Sequence, residues 1–104
     1  LNRRRMQSFY PETFERDMAG SDAEWRFALG RAVGDHPLHI EGQQAEVQIG
    51  TGRLRISWSA LPERRIALLV MKRLQVRFAF EGLSEQERYA FMRPFDLTIQ
   101  RGGG

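Results

Sequence analysis

The sequence has no cysteine, a single lysine (Lys72) and only two histidines (His36 and His39). The first absence excludes disulfides, thiol nucleophiles and thiolate metal sites. The scarcity of imidazole means that any hydrolytic triad would have to use one of two residues, and no serine sits in a nucleophile-elbow context beside them. No run approaches the roughly 18 apolar residues needed to cross a bilayer. No basic segment followed by an apolar stretch appears at the start, so the expectation is a soluble, cytoplasmic protein with no membrane contact. Internal repeats and low-complexity linkers are also missing. A chain of 104 residues is then read as a single domain, 1–104, large enough to bury a core without metal or disulfide. Residues 1–8, with Arg3, Arg4 and Arg5, are expected to form a flexible arm, and 101–104 a flexible tail.

What the chain does have is apolar periodicity. Pro11 suits a first helical turn, Glu12 suits its dipole, and Phe14 with Met18 stand at i and i+4, which predicts a short helix over 11–18. Ala19-Gly20 stops it. Ser21 with Glu24 then forms a capping box, followed by a stripe of Trp25, Ala28, Leu29, Ala32 and Val33 and a stop at Gly34. Phe27 lies opposite that stripe and points to an additional contact.

From Leu38 the period becomes two. Tight turns at Gly42-Gln43 and at Gly50-Thr51-Gly52 bring Leu38, Ile40, Ala45, Val47, Ile49, Leu54, Ile56 and Trp58 onto one face, with Ile40 opposite Ala45, Ile49 opposite Leu54 and Val47 opposite Ile56. Residues 59–65, with Pro62, read as a connection. The stretch 66–80 is the most apolar in the chain. Its second half alternates, with Leu74, Val76, Phe78 and Phe80 on one side and Gln75, Arg77 and Ala79 on the other. A loop of about three residues at 71–73 would place Val70 opposite Leu74 and Ile66 opposite Phe78; a two-residue loop at Lys72 and Arg73 would instead turn Ala67, Leu69 and Met71 to the core. Ser84 with Glu87 makes a second capping box, and Phe91, Met92, Phe95 and Ile99 form a helical stripe that Pro94 should kink or divide; a strand over 95–99 is the rival reading. The fold class is therefore α+β: an N-terminal helical segment, an antiparallel meander of about five strands with one apolar face, and a C-terminal helix packed on it.

Candidate chemistry is sparse. Asp35, His36, His39 and Glu41 could offer metal ligands, but Pro37 breaks the helical i, i+4 spacing that makes histidine pairs specific, and they read as surface residues. Gly50-Thr51-Gly52-Arg53 joins two strands and lacks the following helix N-terminus that a phosphate loop needs. The C-terminal Ile99-Gln100-Arg101-Gly-Gly-Gly resembles the diglycine tail of ubiquitin-like carriers, but the order of elements departs from that fold. No cofactor, metal or catalytic residue is assigned.

The outer sheet face is more informative. In the three-residue-loop register it carries Arg53, Arg55, Gln75 and Arg77 flanking an apolar strip of Ala67, Leu69 and Met71, and contiguous exposed apolar area marks a contact surface. The expected function is a non-enzymatic interaction module that binds a protein partner or forms a homodimer through this face. The alternative is RNA or another anionic ligand held by the arginines, which the net charge of +3 permits. Every strand aromatic falls on the core side, away from where a single-strand reader would stack bases.

Overall fold

The computed structural model describes residues 7–103. It is an α+β fold built on a five-stranded antiparallel sheet. The elements in chain order are β1 (Thr13–Ala19), α1 (Asp22–Ala32), β2 (Leu38–Glu41), β3 (Gln44–Ile49), β4 (Gly52–Ile66), β5 (Leu69–Glu81) and α2 (Glu85–Gly103). The strand order is β1-β5-β4-β3-β2. β2 to β5 form the expected meander, and β1 closes the far edge beside β5. The chain therefore leaves β1 at one edge and must cross the sheet to reach β2 at the other, and α1 is that crossing.

The expected helix over 11–18 is instead strand β1. Phe14 and Met18 do share a face, but with Arg16 between them at strand spacing: Phe14 pairs with Phe78, Arg16 with Val76 and Met18 with Leu74. Pairing to an otherwise open edge of the sheet outweighs the local helix signals of Pro11 and Glu12. α1 forms where its capping box predicts. The Glu24 amide donates to Ser21 Oγ at 3.1 Å, and the Ser21 amide donates to Glu24 Oε1 at 2.7 Å. The same reciprocal pair, Ser84 with Glu87, opens α2. α2 is one helix through Pro94 rather than two, and no strand forms over 95–99. It runs to Gly103, into the segment read as a tail; Gly104 and most of the expected 1–8 arm lie outside the described residues.

Both helices lie on one face of the sheet, the inner face, and touch each other. Trp25 of α1 meets Trp58 edge-on with ring centroids 5.9 Å apart. From α2, Phe95 meets Phe78 at 5.9 Å and Phe91 meets Phe80 at 6.5 Å. Leu54, Ile56, Val76 and Phe78 are almost wholly buried beneath them. This close-packed aromatic and aliphatic layer is the principal stabilising feature of the fold.

Two hairpins differ from expectation in instructive ways. β2 and β3 pair as predicted, Ile40 opposite Ala45, around Gly42-Gln43. β3 and β4 turn through Gly50-Thr51 alone, so Ile49 opposes Gly52, Val47 opposes Leu54 and Ala45 opposes Ile56. The register is shifted by two residues, and because the side-chain period is two every residue keeps its face. The larger correction is at β4–β5. No hairpin turns at 71–73, and Val70 does not oppose Leu74. β4 continues through the supposed connection to Ile66, and the chain reverses at Ala67-Leu68, with Ile66 opposite Leu69 and Ala60 opposite Leu74. A bulge sets Pro62 and Glu63 of β4 against Lys72. Proline at a bulge on an unpaired edge removes no ladder hydrogen bond, which is why it does not end the strand.

Candidate functional site

The residues expected to share one surface lie on the outer face in two groups. Arg53 and Arg55 of β4 and Gln75 and Arg77 of β5 stand in the middle of the sheet, where Arg55 pairs with Ala79 and Ser57 with Arg77. Leu69 and Met71 lie towards the far end of the β4–β5 hairpin, and Ala67 is in its turn. The strip is not flanked by the arginines, because β4 is 15 residues long and carries the turn away from them.

The central group is a lattice of ion pairs. Arg53 lies 3.0 Å from Glu46 of β3 and 3.0 Å from Glu81 of β5, and Arg55 approaches Glu81 at 3.7 Å. Arg77 pairs with Glu15 of β1, which also accepts from Gln75 at 3.2 Å, and Arg73 meets Asp17 at 2.5 Å. These contacts show in the acidities: Glu46, then Glu81, hold Arg53 above its ordinary value, and the hydrogen bond from Arg73 holds Asp17 below the usual carboxylate range. Exposed pairs of this kind add little stability, but each ties up an arginine that would otherwise be free for phosphate.

Where β2, β3 and β4 meet on this face there is a shallow open cradle of about 400 Å³, lined by His39, Glu41, Glu46, Arg55, Ser57 and Arg77 among others. His39 Nε2 lies 3.6 Å from Glu41, whereas His36 Nδ1 lies 3.0 Å from the Val33 carbonyl oxygen and its ring meets the edge of Phe91. The two histidines are thus turned to different tasks. Among the described residues no three acidic or imidazole side chains gather as a metal site.

The second group belongs to an arm. β1 ends opposite Arg73 and β3 begins opposite Ser57, so the hairpin beyond these points has no strand on either side. Nothing from residue 62 to residue 70 is buried; Leu68 is fully exposed, and Ile66, Leu69 and Val70 are exposed. Alternation from Arg73 outward places Met71 and Leu69 on the outer face with their partners Arg64 and Ile66, and Leu61 behind them. Val70, Arg65 and Lys72 fall on the opposite side. The arm is therefore a two-stranded ribbon, largely aliphatic on its outer face and mostly basic on the other.

The residues that sequence reasoning missed are Leu61, Arg64 and Arg65, hidden in the supposed connection, and the carboxylate Glu46 of the cradle. The continued alternation of Trp58 and Ala60 was the available signal that β4 runs on. No family model, curated protein or solved structure matches this chain. No helix among the described residues is long and apolar enough to cross a membrane.

Proposed function

We propose that the protein is a small non-enzymatic interaction module that binds a protein partner or a second copy of itself through the outer face of its sheet, with the β4–β5 arm as the leading contact. The observation that supports this is the arm's uncovered aliphatic surface: Ile66, Leu68, Leu69 and Val70 are exposed together at one end of the molecule. An isolated two-stranded ribbon is marginal in water, and an apolar patch of this kind marks a contact surface. Binding of RNA through Arg53, Arg55 and Arg77 has less support, because these side chains already face Glu46, Glu81 and Glu15.

The test is the double substitution Leu69→Ser with Met71→Ser. A docking arm leaves the core untouched, so thermal unfolding stays within about 4 °C of the parent protein, as for surface changes of under ~0.5 kcal/mol. Marked destabilisation would instead make the arm part of the core and end this reading. Titration with a single-stranded oligonucleotide at low and high salt addresses the second reading, since phosphate contacts produce a steep salt dependence.

A further inference from the structure

The arginines in the middle of the outer face follow a plan in which each meets a carboxylate on a neighbouring strand. Arg53 reaches Glu46 and Glu81, Arg73 reaches Asp17 and Arg77 reaches Glu15, all within hydrogen-bond distance. Arg55 breaks the plan. Its Nε stands 3.7 Å from Glu81, beyond a hydrogen bond, and Glu46, its partner on β3, is turned to Arg53 at 3.0 Å. Directly opposite Arg55 on β5 is Ala79. Facing residues of antiparallel strands stand about 5 Å apart at Cβ, so a carboxylate on β5 here would meet the guanidinium, and an alanine leaves a gap instead.

The next row across these strands pairs Ser57 with Arg77. Ala79 and Ser57 therefore form a low floor, and Arg55 and Arg77 rise at the two opposite corners. The gap belongs to the open cradle of about 400 Å³, whose β2–β3 side carries Glu41 and Glu46. One side of the hollow thus presents two guanidinium groups and a hydroxyl, and the other two carboxylates.

We propose that this hollow binds a small zwitterion of dipeptide size, with its carboxylate over Ala79 between Arg55 and Arg77 and its ammonium directed to Glu46 and Glu41. The ligand supplies the acid that the lattice omits opposite Arg55, and it also accepts from Arg77 and the Ser57 hydroxyl. Strands are about 4.8 Å apart, so Glu46 and Glu41, on β3 and β2, lie one and two spacings from β4. The charges of the ligand must then stand roughly 5–10 Å apart. One extended residue spans only about 3.5 Å, which is too short, whereas two span about 7 Å. The same carboxylates repel a polyanion, so the site is not one for nucleic acid. No residue of the arm takes part, and the proposal stands whether or not the arm docks a partner.

The experiment follows the backbone amides of isotope-labelled protein by NMR at neutral pH and low salt during titration with glycylglycine. Parallel titrations use N-acetylglycine, which keeps only the carboxylate, glycinamide, which keeps only the ammonium, and inorganic phosphate. Glycylglycine is expected to give saturable shifts at Arg55, Ser57, Arg77 and Ala79, with a dissociation constant on the order of 1 mM for so small a ligand in an open hollow. Each of the other three probes should bind at least about fivefold more weakly, since each lacks one of the two charges or carries the wrong excess. Ala79→Glu places the chain's own carboxylate in the gap and should weaken binding at least about tenfold; Arg55→Gln should do the same by removing the donor. Gln86→Glu adds equal charge on α2, in the helical layer, and should leave binding within about twofold. Circular dichroism establishes that each variant is folded, and Arg55→Gln decides the matter if the glutamate is not tolerated. A parent protein without saturable shifts overturns the proposal. So does phosphate or N-acetylglycine binding as tightly as glycylglycine, which makes the hollow a plain anion site. Folded Ala79→Glu or Arg55→Gln protein that binds as the parent does removes the gap from the account and overturns it equally.

Discussion

The Arg16 guanidinium on β1 grips the Asp96 carboxylate on α2 through two parallel hydrogen bonds, Nη1 to Oδ1 at 2.7 Å and Nη2 to Oδ2 at 2.9 Å. Arg16 also lies 5.3 Å from the centroid of Phe14 and 5.2 Å from that of Phe78, so its charge is held over aromatic faces within the core layer. Tyr10 donates its hydroxyl to the same carboxylate at 2.5 Å. One acid thus joins the segment before β1, the edge strand and the C-terminal helix. Asp96→Ala leaves a cation and a hydroxyl without their partner away from water, a loss of about 3 kcal/mol. For a domain of this size that lowers the melting temperature by about 15 °C. Calorimetry showing a fall of less than about 4 °C would mean that the trio contributes no net stability.

Tyr10 predicts a pH dependence of defined sign. Its hydroxyl is raised above the ordinary tyrosine value, first by burial and then by the hydrogen bond and charge of Asp96, with Arg16 opposing. A raised value in the folded protein means that folding favours the protonated form. The resulting stabilisation is complete below the unfolded value of about 10 and is lost as pH climbs from there towards the folded value. Urea unfolding should therefore show the parent protein losing stability more steeply than Tyr10→Phe between about pH 9.5 and pH 11.5. Parallel curves would show that the hydroxyl carries no such linkage.

The same trio explains which part of the fold could be read from sequence. Helix α1 was legible because its capping box is local, and the β2–β3 hairpin because Gly42-Gln43 interrupts a clean alternation. β1 was hidden by Arg16, a charge at an apolar position whose partner Asp96 lies 80 residues away. Without that partner in view, Phe14 and Met18 look like a helical pair. The β4–β5 arm was hidden for the converse reason. Its true turn, Ala67-Leu68, carries none of the residues that mark turns, while Pro62 and Lys72-Arg73 do look like breaks. The arginines of the outer face were placed correctly on that face, yet their carboxylate partners come from neighbouring strands and appear only once the strand order is known.

Ala67 has φ of 54°, the only positive value among the described residues that are not glycine. It occupies the first of two loop residues between Ile66 and Leu69, where two-residue hairpins favour glycine because a side chain crowds the following carbonyl. Ala67→Gly relieves about 1 kcal/mol of strain, which tightens the closed arm by roughly fivefold. Hydrogen exchange should slow by about that factor at the amides of the arm and stay unchanged in β3, whose strands do not depend on this turn. Faster exchange would show that glycine's added freedom in the open state outweighs the relief.

Gly50 and Gly52 flank one threonine and are required for different reasons. Gly50 has φ of 56° and open space around it, so Gly50→Ala costs only the strain of a left-handed alanine, about 1 kcal/mol. Gly52 has an ordinary backbone, but a Cβ there would stand 2.5 Å from the Glu81 carbonyl oxygen, 2.7 Å from that of Gly82 and 2.7 Å from Leu83 Cδ2. Two of these are main-chain atoms in the turn that leads from β5 into α2, and neither can swing aside as a side-chain end would. Relief requires moving that turn off the end of β4, which disturbs the Arg53–Glu81 register and the seat of Leu83 in the core. Gly52→Ala is therefore expected to cost about 2–3 kcal/mol, as overpacking does, and to cost more than Gly50→Ala. Equal losses in urea unfolding would mean that backbone conformation, and not the close approach of β4 to the β5–α2 turn, is what this hairpin demands of its glycines.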